Sequence, residues 1–269
     1  MAEVYVNSWQ DFVTAIGVAG DTVILPEEAE WDMNEILPYG LQSDITFACN
    51  KIDGRGTRIK NLNLNNYCFA SSGQDIKIIH NLLMTDWIST NQWFDLRYGS
   101  EWFRCEISGI TSASCIIYNQ NSYNYHAVNM VSCAVNVESS ASRFQIVNSG
   151  GGTYKYCRIE AHAPNSDEGN IGNGDYFCCE LVFYAPNAAQ QISVYKFQNG
   201  NLLRGNLKSV SGLSYIGRIP WSGLVSVYDN DTFSDTVTSP FPNNFVPCTE
   251  DQLKDAVYLR SLGFPIVVG

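Results

Sequence analysis

The sequence predicts an all-β protein, a solenoid of stacked parallel strands with a short helical cap at each end. Three observations predict it. Six strand-like runs recur through the middle of the chain, their centres 24, 28, 24, 22 and 20 residues apart. The segments between them vary in length and are rich in Asn, Ser and Gly, as in NQNSYNY, NSGGGT and PNSDEGNIGNGD. Asn-Gly turns flanked by alternating strands, the mark of hairpins, are scarce.

The runs are IIHNLLM (78–84), WFRCEIS (102–108), MVSCAVN (130–136), YKYCRIE (154–160), YFCCELV (176–182) and YKFQNGN (195–201). Their centres are Asn81, Cys105, Cys133, Cys157, Cys179 and Asn199. Ile79 and Leu83, Phe103 and Ile107, Val131 and Val135, and Phe177 and Leu181 flank four of these centres at ±2. Residues two apart share one face of a strand, so each run reads as one strand with its centre pointing inward. Stacking one coil on the next would place the six centres in a column, where small Cys and Asn side chains suit an interior stack. A two-sheet sandwich is the competing source of strand-like runs.

The ends read differently. Val4–Val6 is a strand, and Asn7 or Ser8 caps a helix to about Ile16 with Trp9, Phe12, Val13 and Ile16 on one face. Gly20-Asp21 then turns into the strand Thr22–Leu25. From Ser211 the repeat fades, and 239–247 is an extended, Pro-punctuated segment. Thr249 and Gln252 form a capping box for a helix carrying Leu253, Ala256 and Val257 on its inner face, stopped at Gly263. The predicted organisation is a cap over 1–19, a β-helix over 20–215, an irregular segment over 216–248, and a helix and tail over 249–269.

Charged residues are 16% of the 269, against roughly a quarter in an average domain, and the net charge is −11. Nucleic acid and anionic membranes both need clustered cations, so neither is an expected partner. No run approaches the ~18 apolar residues of a membrane span. The polar surface comes instead from uncharged side chains, including 25 Asn. The nine cysteines are odd in number, form no CxxC pair, and follow an N-terminus (MAEVYVNSWQDF) without the features of a secretory signal. Reduced, buried thiols are therefore expected, and with three isolated His no metal site is. GxSxG, Walker and GxGxxG motifs are absent, so no cofactor is expected.

On its repeat spacing and its Asn and Cys centres, the chain resembles the right-handed parallel β-helix proteins of the pectin-lyase-like group, over about residues 20–215. The helix, Gly-Asp turn and Val/Ile strand at its start resemble the N-terminal caps of such proteins. The tail, with Gln252-Leu253-Lys254, Leu259 and Gly263-Phe264, resembles terminal segments of β-helical phage and gut-bacterial surface proteins. The resemblance implies a virion structural protein, assembled in the host cytoplasm, that forms a homo-oligomer (a trimer by analogy) and docks to other virion proteins. Lyases of this fold set basic residues against calcium-binding acids. Here Arg97, Arg104, Arg143 and Arg158 are scattered, which argues against that activity.

Two other readings stay open. As a polysaccharide depolymerase, the chain would use two of Glu160, Asp167, Asp175 and Glu180 about 5–10 Å apart, with His162 assisting; otherwise these acids belong to a solvated loop. As a glycan-binding module or an interface, it would use Trp87, Trp93 and Trp102, or Tyr118, Tyr123 and Tyr125 among their Asn neighbours; otherwise the tryptophans fill a coil corner.

Overall fold

A computed structural model describes residues 2–72, 75–119, 128–148, 152–164, 168–172, 175–177, 179–185, 193–194, 202–207, 226–229, 245–249, 251–252 and 255–261. The first coils comprise β1 (Glu3–Tyr5), α1 (Trp9–Ile16), β2 (Thr22–Ile24), β3 (Glu30–Asp32), α2 (Met33–Ile36), β4 (Ile45–Phe47), β5 (Lys51–Asp53), β6 (Arg58–Lys60), β7 (Asn63–Asn65) and β8 (Phe69–Ser71). The middle holds β9 (Lys77–His80), β10 (Leu83–Ser89), β11 (Phe94–Asp95), β12 (Ser100–Phe103), β13 (Glu106–Thr111), β14 (Cys115–Tyr118), β15 (Val128–Val131), β16 (Ala134–Ser139), β17 (Arg143–Asn148), β18 (Gly152–Lys155) and β19 (Arg158–His162). Then follow β20 (Glu168–Gly172), β21 (Asp175–Phe177), β22 (Glu180–Ala185), β23 (Ser193–Val194), β24 (Leu202–Leu207), β25 (Ser226–Asp229), β26 (Phe245–Cys248) and α3 (Ala256–Ser261).

The strands form three parallel sheets, here A, B and C. Sheet A runs β1-β2-β5-β9-β12-β15-β18-β21, and sheet C runs β4-β8-β11-β14-β17-β20-β23. Sheet B runs from β3 through β6, β10, β13, β16, β19, β22, β24 and β25 to β26, with β7 beside β10. The chain therefore visits A, B and C in turn and stacks each coil on the last. The result is the expected all-parallel β-solenoid.

Alternation along each strand sends every second side chain inward, so the three sheets fill a common interior from three sides. On sheet A the inward column is Ile52, Ile79, Trp102, Met130 and Tyr154. On sheet B it is Trp31, Ile59, Met84, Ile107, Val135 and Ile159. On sheet C it is Ile45, Phe69, Phe94, Ile117 and Val147. Each such side chain contributes about 1.5–3 kcal/mol by leaving water.

The corner between sheets A and B repeats with little change. Asn81, Arg104, Ser132 and Tyr156 hold φ between 51° and 55°. This left-handed backbone turns the chain, and the next residue points inward. The amides of Leu83, Glu106, Ala134, Arg158 and Glu180 donate to the carbonyls of Thr57, Leu82, Cys105, Cys133 and Cys157 in the coil below. The column is thus Thr57, Leu82, Cys105, Cys133, Cys157 and Cys179, all buried.

Two expectations are corrected here. Asn81 does not stack below Cys105: Phe103 pairs with His80, which puts Leu82 there and leaves Asn81 on the turn. Nor is each run one strand flanked at ±2. The corner divides it, so Phe103 and Val131 point outward while Ile107 and Val135 point inward.

At the N-terminal end Ser8 accepts from the amide of Asp11 and caps α1, whose Trp9, Phe12, Ala15 and Ile16 are buried. The helix packs against β2 and β4. Its last carbonyl, Ile16, accepts from the amides of Ala48 and Cys49 at 2.7 and 2.9 Å. The carbonyls of the same two residues accept from Nζ of Lys77 at 2.9 and 3.1 Å. Lys77 is buried, and the Phe47 ring lies 5.7 Å from its ammonium. Burial holds its pKa below the usual lysine value.

The capping box of Thr249 and Gln252 forms reciprocally, at 2.9 and 3.3 Å. The continuous helix expected after it does not. Asp255 accepts from the amides of Val257 and Tyr258 and so caps a separate helix, α3. Val257, expected on an inner face, is 76% exposed, and Leu253 lies outside the described residues.

Candidate functional site

The outer face of sheet A carries a groove of about 530 Å³. Because Trp102 and Met130 point inward, their neighbours on β12 and β15 point outward. Two rows result. Glu101, Asn129 and Thr153 form one, and His80, Phe103, Val131 and Lys155 the other. The His80 ring meets Phe103 edge-on at 5.5 Å, and the Arg104 guanidinium sits 4.9 Å from the centre of the Phe103 ring. Asn129 Oδ1 accepts from the Thr153 amide at 3.1 Å. Burial, with help from Lys51, holds His80 below the ordinary histidine value, so it is neutral at pH 7. The groove offers hydrogen-bonding groups beside apolar surface, and Glu101 is the one carboxylate among its described lining residues. Nothing in the spacing of the runs pointed to it. Its signal was the residues beside the core positions, once the corner had been placed.

The acidic group assembles on two different sheets. Glu160 lies on β19 and Glu180 on β22, both in sheet B, while Asp175 lies on β21 in sheet A opposite Thr153. Asp167 is outside the described residues. Arg158 lies directly across the rung from Glu180. Its Nη2 is 3.2 Å from Glu160 Oε2 and its Nε is 3.8 Å from Glu180 Oε2. His162 Nε2 meets the other Glu160 oxygen at 2.7 Å. One guanidinium bridging both carboxylates brings them within the roughly 5–10 Å of a glycosidase pair. It also occupies both carboxylates with a cation. This is the arrangement of a surface ion-pair network.

The tryptophans belong to the interior. Trp87, Trp93 and Trp102 are at most 1% exposed. Each indole N–H is satisfied inside: Trp87 by the Ile59 carbonyl at 2.8 Å, Trp93 by Ser89 Oγ and Trp102 by Ser100 Oγ, both at 2.7 Å. With Phe69 and Phe94 they make one aromatic cluster, its ring centres 5.1–5.9 Å apart. They have no face for a sugar or a partner. Tyr118 is half-buried on β14, beside Asp95 of β11. Tyr123, Tyr125 and Asn199 fall outside the described residues.

Cys49, Cys68, Cys105, Cys115, Cys133, Cys157 and Cys179 form no disulfide and are buried. Burial pushes Cys49 and Cys68 up to about 12. In the corner column the thiols lie against one another and donate to backbone carbonyls. Contact with Cys105 and Cys157 holds Cys133 below the usual thiol range, and the same contacts together with burial raise those two. Cys105 donates to the Ile79 carbonyl and Cys179 to that of Tyr154, both at 3.3 Å. The four corner thiols are at most 2% exposed, and buried structural thiols, Cys133 included, are poor nucleophiles. Among the described residues no three His, Cys, Asp or Glu side chains converge to hold a metal ion, and no helix is long and apolar enough to cross a membrane.

The chain matches no protein-family model, and no curated protein or solved structure matches it.

Proposed function

We propose that the chain is a non-catalytic structural protein of a bacteriophage particle, as a capsid decoration, head fibre or tail component. It is assembled in the host cytoplasm and acts by self-association, as a trimer, and by docking to other virion proteins. Its solenoid is right-handed and pectin-lyase-like. The observation that supports a structural role over catalysis is the bridging of Glu160 and Glu180 by Arg158, which engages both carboxylates in ion pairs. The phage setting and the trimer rest on the resemblance alone. The test pairs two measurements on the purified protein. Incubation with a panel of bacterial capsular polysaccharides is expected to release no reducing ends, and sedimentation equilibrium to give an oligomer. Cleavage that disappears in Glu160→Gln or Glu180→Gln would overturn the reading, as would a monomer.

The sheet A groove favours a second reading, a glycan-binding or adhesion module. Its discriminating result is binding of a polysaccharide that is lost in Asn129→Ala and Phe103→Ala while the sedimentation profile stays unchanged.

A further inference from the structure

Charge is distributed very unevenly along the stack. Residues 1–50 contain nine Asp and Glu and no Lys, Arg or His. The other 219 residues hold eighteen acids against sixteen bases, so the −11 of the chain lies almost wholly in the first coil. Glu3, Asp11, Glu27, Glu28, Glu30, Glu35 and Asp44 are exposed there. Among the described residues, only Glu27, Glu30 and Asp32 of this coil meet a cation, Arg55 or Lys60 of the next coil.

The same coil ends the sheets. Among the described residues β1, β3 and β4 each pair with a strand on one side only, and an unpaired strand edge is a template for further association. The same coil carries exposed apolar side chains: Tyr39 at 84%, Tyr5 at 64%, with Val18 and Ile36 also exposed. Such residues supply the anchors of protein interfaces.

We infer that this acidic end of the solenoid is a docking face for a protein surface rich in Lys and Arg. Charge complementarity selects the occupant. A second copy meeting the face head-on would bring nine acids against nine, and the remainder of the chain is too nearly neutral to complement it. A divalent cation would need converging acids, and none converge among the described residues. The inference supplies the partner chemistry for the docking half of the proposed function and rests on that reading. The two fail separately, because self-association is read by sedimentation and this face by titration.

The experiment uses the full chain and deca-arginine as the probe, with affinity read by fluorescence anisotropy at two salt concentrations and coupling sites mapped after carbodiimide cross-linking. Glu3→Lys/Glu28→Lys/Glu35→Lys is compared with Asp75→Lys/Glu138→Lys/Asp251→Lys, three exposed acids elsewhere whose replacement changes the net charge equally. The expected result is about a tenfold loss in the first variant and a change within about twofold in the second. The affinity should fall with added salt, and the cross-links should map to residues 1–50. Equal losses in the two variants, cross-links spread over the chain, a head-to-head dimer of the unmodified protein, or calcium bound at this end would each overturn it. Circular dichroism checks that both variants fold, and the cross-link map of the unmodified chain tests the assignment without any substitution.

Discussion

Gly109 offers the sharpest test of how the coils are stacked. It lies on β13 directly above Trp87 of β10, where the ladder slips by one residue past Asp86, itself at φ 59°. Gly109 has φ of +153°, and a Cβ built there would press on the Trp87 carbonyl oxygen, with the Trp87 nitrogen and carbonyl carbon at 2.7 and 2.8 Å. These are backbone atoms of a strand paired on both sides, so they have no rotamer in which to retreat. Gly109→Ala adds about 1–3 kcal/mol of backbone strain to about 1–3 kcal/mol of overpacking. A loss of about 4 kcal/mol corresponds to a melting temperature lower by about 10 °C in a chain of this size. Gly20→Ala is the control. Its φ is +87° but nothing lies within 4 Å of the added carbon, so it bears the strain without the clash and should cost about 1 kcal/mol, roughly 3 °C. Calorimetry on the two variants measures the difference. If Gly109→Ala melts no lower than Gly20→Ala, Trp87 does not lie below Gly109 and the register of β10 with β13 is wrong.

Other expectations follow from the same interior. Trp87→Ala should cost about 3–5 kcal/mol in urea unfolding and leave any glycan affinity unchanged; a variant of normal stability with lost binding would return the indole to the surface. Lys77 has a folded-state pKa below its unfolded value, so the folded state binds fewer protons between the two and its stability contribution grows as pH rises through that window. The wild type should therefore gain stability relative to Lys77→Met from the folded pKa up toward about 10.5, and a pH-independent difference would contradict the buried ammonium. Removal of residues 249–261 should leave the β circular dichroism intact while impairing assembly; loss of the β signal would make the segment part of the fold.

Much of the fold could be read from the spacing of Cys105, Cys133, Cys157 and Cys179, because pairing between adjacent coils carries each centre onto the next. Asn81 lies one residue off that column. Asn and Cys are both small, and only the positive φ of the corner reveals that Asn81 turns the chain while Leu82 fills the column. The tryptophans were undecided for a related reason. Indoles serve cores and surfaces alike, and a corner shifts the inward alternation without any mark in the composition. Lys77 was invisible because a lysine among core positions reads as an outward residue until the Ala48 and Cys49 carbonyls are seen to receive it. The groove and the bridge at Arg158 depend on neighbours one coil away, twenty or more residues along the chain.

The most direct test of the stacked-coil account is the accessibility of the thiol column. Maleimide labelling of the native protein, read by peptide mass spectrometry, should leave Cys105, Cys133, Cys157 and Cys179 unmodified, and all four should react once denaturant is added. Rapid labelling of these four in the folded protein would contradict the interior column and the coil register built on it.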